Sequence, residues 1–218
     1  INHKIYSIKI KNLSMQLKTK SQIKNMIAQE SARIMVEQGI EKYNTAKYKA
    51  AENLNFHNLG CLPRNDEIEV KLKEHYQLFD DQSHQYSILR LRKIALSIME
   101  LLANFQSYLV GPVANGTASR FSPINIHLTA DNIEALMVQL DKEYIRYEFY
   151  ERQLKTGGQS VKKYKGLTFL YEKINIEITV FSHTEIRQTP ISRINNKPMQ
   201  RIKLKALKEL LATSLPAI

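Results

Sequence analysis

The chain has 218 residues, 43% of them hydrophobic, which is enough for a sizeable core in one large domain or in one domain with a helical extension. Its single cysteine, Cys61, excludes an internal disulfide and a thiolate zinc site, and no apolar run reaches the roughly 18 residues of a membrane-spanning helix. The net charge is +11. The first 24 residues lack an apolar segment of signal-peptide length, so a soluble, cytoplasmic protein is expected.

The N-terminal half is predicted to be helical. Residues 1–20 form a basic segment that need not be ordered: residues 5–10 are compatible with a short strand, and Met15 is an alternative start that makes residues 1–14 dispensable. Apolar residues at three- and four-residue steps then predict four helices, and the polar residues 80–85 predict a loop. The helices are one capped by Ser21 and ended by Gly39, one at 43–54, one opened by Pro63 and Asn65 and reaching residue 79, and one at 88–105.

After Gln106 the pattern changes to short strands and turns. Residues 124–129 alternate apolar and polar side chains, and so do residues 174–181, as half-buried strands do. The other predicted elements are a strand at 108–110, a turn at 111–122, a helix begun by the capping box of Asp131 and Glu134, strands at 145–154 and 166–171 joined by an exposed hairpin connection at 155–165, a loop at 190–198 and a helix at 203–211.

These elements predict an α+β fold in which a helical N-terminal part, residues 21–105, packs on a small mixed β-sheet within residues 106–182. Residues 183–218 add a basic loop and a C-terminal helix. Two specific expectations follow. Residues 124–129 and 174–181 belong to one sheet, and the helix at 88–105 packs on it, because its apolar stripe is too wide for a solvent-exposed face.

The basic residues are concentrated in three segments, 1–24, 155–173 and 183–208, which hold eighteen lysines and arginines against two acidic residues. Such a distribution is typical of proteins that bind polyanions, although it also fits a basic, solvent-exposed tail. The predicted partners are therefore a nucleotide, RNA or DNA. A protein partner is the alternative, and a membrane partner is not expected.

One stretch carries a recognisable motif. Residues 109–118 read Leu-Val-Gly-Pro-Val-Ala-Asn-Gly-Thr-Ala, and residues 122–128 read Ser-Pro-Ile-Asn-Ile-His-Leu. This order resembles the signature of the nucleotidyltransferase superfamily, especially its minimal members. Their pattern is an apolar strand, Gly-Ser, three residues, Gly-Thr-Ala and a strand bearing Asp-x-Asp, with a third carboxylate on a later strand. The resemblance covers residues 88–181 and implies a sheet of nucleotidyltransferase-like topology.

The resemblance also implies a damaged catalytic motif. The family's aspartates hold divalent metals that bridge the nucleotide phosphates. Here Pro112 replaces the serine, and the Asp-x-Asp positions fall either on Pro123 and Asn125 or on Asn125 and His127. Glu177 alone matches a carboxylate. The degenerate catalytic candidates are therefore Asn125, His127 and Glu177, and Asn125→Asp with His127→Asp is expected to strengthen metal binding.

Weaker assignments accompany this motif. A divalent metal (Mg²⁺, Mn²⁺ or Zn²⁺) is conceivable on His127, Asp131 and Glu177. The candidate residues for binding phosphate are Gly111, Gly116, Thr117, Arg187, Arg193 and Arg201. Those for binding nucleic acid are Lys155, Lys162, Lys163 and Lys165. The plainer interpretations are that the glycines only shape a turn and that the basic residues form an ordinary surface loop.

Three functional hypotheses remain open at this point. The first is a catalytically degenerate nucleotidyltransferase-like protein that binds nucleotide or nucleic acid. The second is an active, divergent nucleotidyltransferase that uses His127 and Glu177 with a metal ion. The third is a regulatory scaffold that keeps the fold in order to bind a protein partner.

Overall fold

The structure is a computed structural model that describes residues 19–56, 59–79, 81–120, 122–157 and 160–214. The expectations for residues 1–18, including the short strand and the alternative start at Met15, lie outside these ranges. The chain divides into two compact units, residues 1–75 and residues 76–218. None of the helices in the described ranges combines the length and the apolarity needed to cross a membrane.

The first unit is built from helices. Helix α1 (Lys20–Gln38) packs against α2 (Tyr43–Asn53), and Ile27, Ile34 and Ala46 are fully buried. A 3₁₀ turn (Leu59–Cys61) leads to α3 (Asn65–Phe79). The N-terminal cap of α1 is Thr19 and not the predicted Ser21, because the Thr19 side chain accepts from the backbone N–H of Gln22 at 3.3 Å. Its end at Gly39 (φ 65°) is confirmed.

The second unit contains a six-stranded sheet in the order β3-β4-β5-β2-β1-β6. Strands β2 and β5 are parallel, and all other neighbours are antiparallel. The elements are α4 (Asp81–Leu101), β1 (Gln106–Val110), α5 (Gly111–Asn115), β2 (Ile124–Thr129), α6 (Ile133–Lys142), β3 (Glu148–Lys155), β4 (Val161–Tyr171), β5 (Ile174–Phe181), a 3₁₀ turn (Glu185–Arg187), β6 (Ile202–Lys203) and α7 (Leu204–Ser214).

The main hydrophobic core lies on one face of this sheet. Strands β2 and β5 direct Ile124, Ile126 and Ile178 into it, and α4 contributes Leu91 and Ile98. Helix α4 also contacts β1 and α7. The predicted α+β class is thus confirmed, as are the placement of residues 124–129 and 174–181 in one sheet and the packing of the fourth helix on it.

Several predicted boundaries are wrong. The predicted loop at 80–85 is helical from Asp81 onward, because α4 begins about two turns before the first residue of its apolar stripe, Ile88. The predicted connection at 155–165 is mostly strand: β4 begins at Val161, and its lysines pair in register with β3. Helix α6 is capped by Asn132, whose side chain accepts from the backbone N–H of Ala135, and not by a box of Asp131 and Glu134. Residues 202–203 pair with β1 before α7 begins.

A glycine in β4 allows an aromatic ring to cross the sheet. Tyr150 on β3 lies directly opposite Gly166, and its hydroxyl is 2.7 Å from Thr179 Oγ1 on β5, one strand further on. A Cβ atom at Gly166 would meet Ile178 O at 2.5 Å and the Tyr150 ring at 2.6 Å. The absence of a side chain at this position therefore makes room for the Tyr150–Thr179 contact.

We expect Gly166→Ala to destabilise the protein by about 1–3 kcal/mol, because the added methyl group overpacks against a backbone carbonyl and a ring. Urea unfolding measures this change. Gly157→Ala is the matched control, since nothing lies within 4 Å of a Cβ atom there, and it should stay within about 0.5 kcal/mol of the wild type. Equal effects of the two substitutions would contradict the packing argument.

Candidate functional site

The second face of the sheet is polar. Because alternate side chains of a strand share a face, Asn125, His127 and Thr129 project from β2 on the side opposite the main core. In the parallel pairing Asn125 lies opposite Glu177, and His127 lies opposite Thr179. Asn125 and His127 therefore face the same side of the sheet as Glu177. We call this side of β2 and β5, with the adjoining residues of the other strands, the polar face.

An arginine joins Asn125 to Glu177. Arg152, on β3, donates from Nη1 to Asn125 Oδ1 at 2.6 Å and forms a hydrogen-bonded ion pair with Glu177 through Nη2. The second oxygen of Glu177 accepts a long hydrogen bond from Asn175 Nδ2 at 3.5 Å. Asn175 in turn accepts from Thr168 Oγ1 at 2.7 Å. The guanidinium is therefore the cation that neutralises Glu177.

The glycine-rich stretch lies beside this bridge. Gly111 has a φ of +74°, and a Cβ atom built on it would be 3.4 Å from Asn125 Nδ2. Pro112 is the second residue of the short helix α5, and Gly116, with a φ of +76°, caps the C-terminal end of this helix. The backbone N–H of Thr117 donates to Pro112 O at 2.9 Å. Gly111 thus adjoins Asn125, whereas the donor of Thr117 is used within the turn itself.

Side chains of helix α4 contact the backbone carbonyl groups of this turn. Arg92 donates from Nε to Val113 O at 3.2 Å and from Nη2 to Ala114 O at 3.3 Å. His84 Nε2 lies 3.0 Å from Gly116 O. Burial lowers the pKa of Arg92. These contacts hold the carbonyl end of α5, so the position of the glycine turn depends on α4.

His127 is a buried, neutral histidine. It is 1% exposed, it lies opposite Tyr108 in the β1–β2 pair, and its ring is 4.7 Å from that of Phe181. Burial lowers its pKa to about 3, and the nearby positive charges of Arg201 and Arg152 act in the same direction. This environment differs from that of an open metal ligand.

Residues 182–201 cross one end of the polar face, and we call them the covering segment. Ile186 packs with Leu154, Tyr164 and Phe181 in a small second core. Arg201 closes the segment by donating from Nη1 to Ile186 O at 2.6 Å, and burial lowers its pKa.

The predicted phosphate-binding arginines lie in three different settings. The guanidinium of Arg201 lies over the Tyr108 ring at 5.3 Å and near the Phe181 ring at 5.9 Å. Arg193 donates to Gln153 O at 2.8 Å on the edge strand β3. Arg187 is exposed in the 3₁₀ turn. Only Arg201 is thus packed against the rings that surround His127.

The four predicted nucleic-acid-binding lysines lie on both faces of the β3–β4 hairpin. The register places Lys155, Lys163 and Lys165 on the side away from Arg152, and Lys162 on the same side as Tyr164. Lys163 Nζ is 3.6 Å from a Glu151 carboxylate oxygen, and Lys162 Nζ is 3.8 Å from Glu185. The lysine set is therefore a group of three on one face and a single residue on the other.

The weak metal set is not brought together. Asp131 follows β2, its side chain is exposed, and one of its carboxylate oxygens lies 3.5 Å from His183 Nε2. His127 is buried, and Glu177 is paired with Arg152. Across the residues whose positions are described, no group of three or more histidine, cysteine, aspartate or glutamate side chains could hold a metal ion.

The sequence interpretation missed Arg152. It lies inside the predicted strand 145–154, but its partners Asn125 and Glu177 are 27 and 25 residues away. A charged residue within a strand of a partly buried sheet was the available signal, because such a charge needs a counter-ion.

The lowered pKa of His127 predicts a pH dependence of stability. Folding lowers this pKa from 6.5 to about 3, so the unfolded chain binds a proton that the folded protein does not. The free energy of unfolding is therefore unaffected by protonation of His127 above about pH 6.5. It decreases as the pH falls towards 3, by up to about 1.4 kcal/mol per pH unit. We expect the free energy of unfolding of His127→Gln, measured by urea unfolding in phosphate-free buffer, to depend less steeply on pH below about pH 6 than that of the wild type. The difference in slope should correspond to about one bound proton.

His183→Gln is the control, because it removes an exposed histidine from the same unit. It should keep the steeper slope of the wild type. NMR titration of the wild-type protein provides a readout that needs no variant. A His127 imidazole that gains its proton near pH 6.5 would contradict the assignment of a buried, neutral ring.

No protein-family model, curated protein or solved structure matches the chain. The contacts and charges of the polar face are therefore the basis on which a function is proposed.

Proposed function

We propose that the chain is a nucleotidyltransferase-like protein that has lost metal-dependent chemistry and binds the phosphates of a nucleotide or nucleic acid. The observation that carries this proposal is the guanidinium of Arg152 between Asn125 and Glu177. In the resembled family, the corresponding positions carry carboxylates that hold divalent metals. Here a permanent cation of the chain itself lies between the two side chains.

The arrangement of the strands supports the family assignment. A short apolar strand runs into a glycine turn and then into β2, as the motif requires. Gly111 adjoins Asn125, and Asn125 lies opposite Glu177 on a parallel neighbour. The residue that matches the third carboxylate and a residue that matches the Asp-x-Asp motif thus lie side by side. This agreement goes beyond the residues that suggested the resemblance.

The chemistry of the bridge argues against catalysis. Phosphoryl transfer in such families depends on metals that orient the phosphates and neutralise developing charge. The amide oxygen of Asn125 carries no charge, and Glu177 is already neutralised by Arg152. A metal would have to displace a guanidinium in order to reach a single carboxylate. His127 does not replace a lost aspartate, because it is buried beside Phe181.

Positive charge supports phosphate binding without metal. Arg201 contributes positive charge to the polar face, whereas the charge of Arg152 is compensated by Glu177. Lys155, Lys163 and Lys165 add exposed charge on the reverse side of the β3–β4 hairpin. Such side chains bind phosphates by direct ion pairing and hydrogen bonding.

The first test of this proposal is enzymatic. We expect the protein to release no pyrophosphate above background from any of the four ribonucleoside triphosphates with Mg²⁺. Asn125→Asp combined with Arg152→Gln should bind Mn²⁺ at least about tenfold more tightly than the wild type, because it pairs two carboxylates and removes the competing cation. Electron paramagnetic resonance of free Mn²⁺ measures the affinity. His127→Asp is left out of this variant, because it would bury a charge.

The matched control is Asn195→Asp with Lys163→Gln, which makes the same change in net charge at exposed positions. It should bind Mn²⁺ as weakly as the wild type. Pyrophosphate release by the wild type that disappears in Glu177→Ala would reveal a working enzyme and overturn the proposed loss of chemistry.

The second test concerns nucleic acid. We expect binding of RNA or DNA that weakens steeply with salt, because lysine and arginine displace counterions from phosphates. Replacing Lys155, Lys163 and Lys165 together by Gln should lower the slope of log affinity against log salt by about 2–3, or about 0.7–0.9 per lost contact. Filter binding across a salt series measures this slope.

Replacing Lys42, Lys49 and Lys73 by Gln makes the same charge change at exposed positions in the first unit. With this control, the slope of log affinity against log salt should differ from the wild-type value by no more than about 0.9, which corresponds to one phosphate contact. Equal losses in both variants would show a response to net charge alone. Absence of retention at low salt would remove nucleic acid as the ligand.

A further inference from the structure

Two basic side chains in the covered part of the polar face have nitrogen atoms without a hydrogen-bond partner. Neither Nδ1 nor Nε2 of His127 has one among the described residues, and neither Nε nor Nη2 of Arg201 has one. The hydroxyl of Thr129 is in the same state. All five atoms are buried, so each would leave a hydrogen bond unmade if the site held nothing further.

These side chains share one patch. Tyr108 lies opposite His127 across β1 and β2, and the Phe181 ring is 4.7 Å from the His127 ring. The Arg201 guanidinium lies over these same two rings, at 5.3 and 5.9 Å. Thr129 follows His127 by two residues on β2 and therefore faces the same side. His127 and Arg201 are close enough for the arginine charge to act on the imidazole.

Among the described residues, no carboxylate forms an ion pair with Arg201, whose guanidinium lies over the Tyr108 ring. The neighbouring carboxylates have other partners: Glu177 pairs with Arg152, and Glu185 accepts from Ser182 and lies near Lys162. A half-buried guanidinium with two unused donors beside an unpartnered imidazole favours an anion strongly over a cation.

We propose that Arg201, His127 and Thr129 form a binding site for a tetrahedral oxyanion of the phosphate type beneath the covering segment. Nη1 of Arg201 is anchored to Ile186 O, which fixes the guanidinium and leaves Nε and Nη2 as a two-pronged donor. The neutral imidazole donates one N–H, and the Thr129 hydroxyl donates another hydrogen bond. The site deepens the proposed function, since a nucleotide or nucleic acid carries this oxyanion, but inorganic phosphate is sufficient to test it.

The test uses the full chain in phosphate-free buffer. Inorganic phosphate is titrated at constant ionic strength, while ¹⁵N NMR follows the Nε–H of Arg201 and the ring nitrogens of His127. We expect saturable shifts at both residues, and no comparable shifts with chloride. Because this measurement needs no substitution, an absence of saturable shifts at Arg201 and His127 would overturn the site irrespective of how any variant folds.

Variants then locate the ligand. Arg201→Lys removes the two-pronged donor and should weaken phosphate binding by about tenfold or more. Arg193→Lys, which alters another arginine of the covering segment, should stay within about twofold of the wild type. Equal weakening in the two variants would count against the site, because it would indicate a general response to charge on the segment.

A nucleoside triphosphate and single-stranded RNA form the last arms of the test. If phosphate binds at Arg201 and neither of these ligands does, the anion site stands and the proposed nucleotide or nucleic-acid function fails. If phosphate causes no saturable shifts at Arg201 and His127, while the triphosphate or the RNA binds equally well to the wild type and Arg201→Lys, the proposed function stands and the anion site fails. If phosphate and sulfate bind equally well elsewhere on the protein and the NMR signal of Arg201 does not shift, the result would indicate an adventitious ion only.

Discussion

The parallel pairing of β2 with β5 is the constraint on which both faces of the sheet depend. It places Ile124, Ile126 and Ile178 on the side of the main core, and it places Asn125 opposite Glu177 on the other side. A shift of one residue in this register would exchange the faces, burying a carboxylate among α4, α6 and α7. The hydrophobic core therefore selects the register, and the register in turn creates the polar arrangement.

Two arginines on the polar face have opposite electrostatic situations. Arg152 reaches from β3 across β4 and finds both an amide oxygen and a carboxylate, so its charge is compensated within the chain. Arg201 is held by a backbone carbonyl and two aromatic rings, and its charge is compensated only weakly. One arginine thus has a carboxylate partner within the chain, whereas the other keeps two hydrogen-bond donors without a partner among the described residues. Fold alone does not determine this division, which arises from individual side chains.

The sequence predicted those parts of the fold that local periodicity encodes. The alternation in 124–129 and 174–181 indicated two strands, and the stripe of α4 indicated a helix packed on a sheet. Strand partners and registers are long-range properties, so the bridge of Arg152 to residues 25 and 27 positions away was not predicted from the same patterns. Regular structure at 81–85 and 161–165 was also missed, because most residues of these two stretches are polar and local patterns of polar residues do not distinguish a loop from a helix end or a strand.

The crossing of Tyr150 over Gly166 has a dynamic consequence. The same hairpin that carries Tyr150 also carries Arg152, two residues further on, so fraying of this sheet edge would withdraw both side chains together. Edge hairpins belong to the segments that open locally at low free-energy cost. The tyrosine hydroxyl on Thr179 acts against that opening. Glu177 is partly exposed, but its carboxylate would lose its guanidinium partner only in the brief intervals when the edge has opened, so the rate at which another cation could replace Arg152 would be set by backbone motion several residues away.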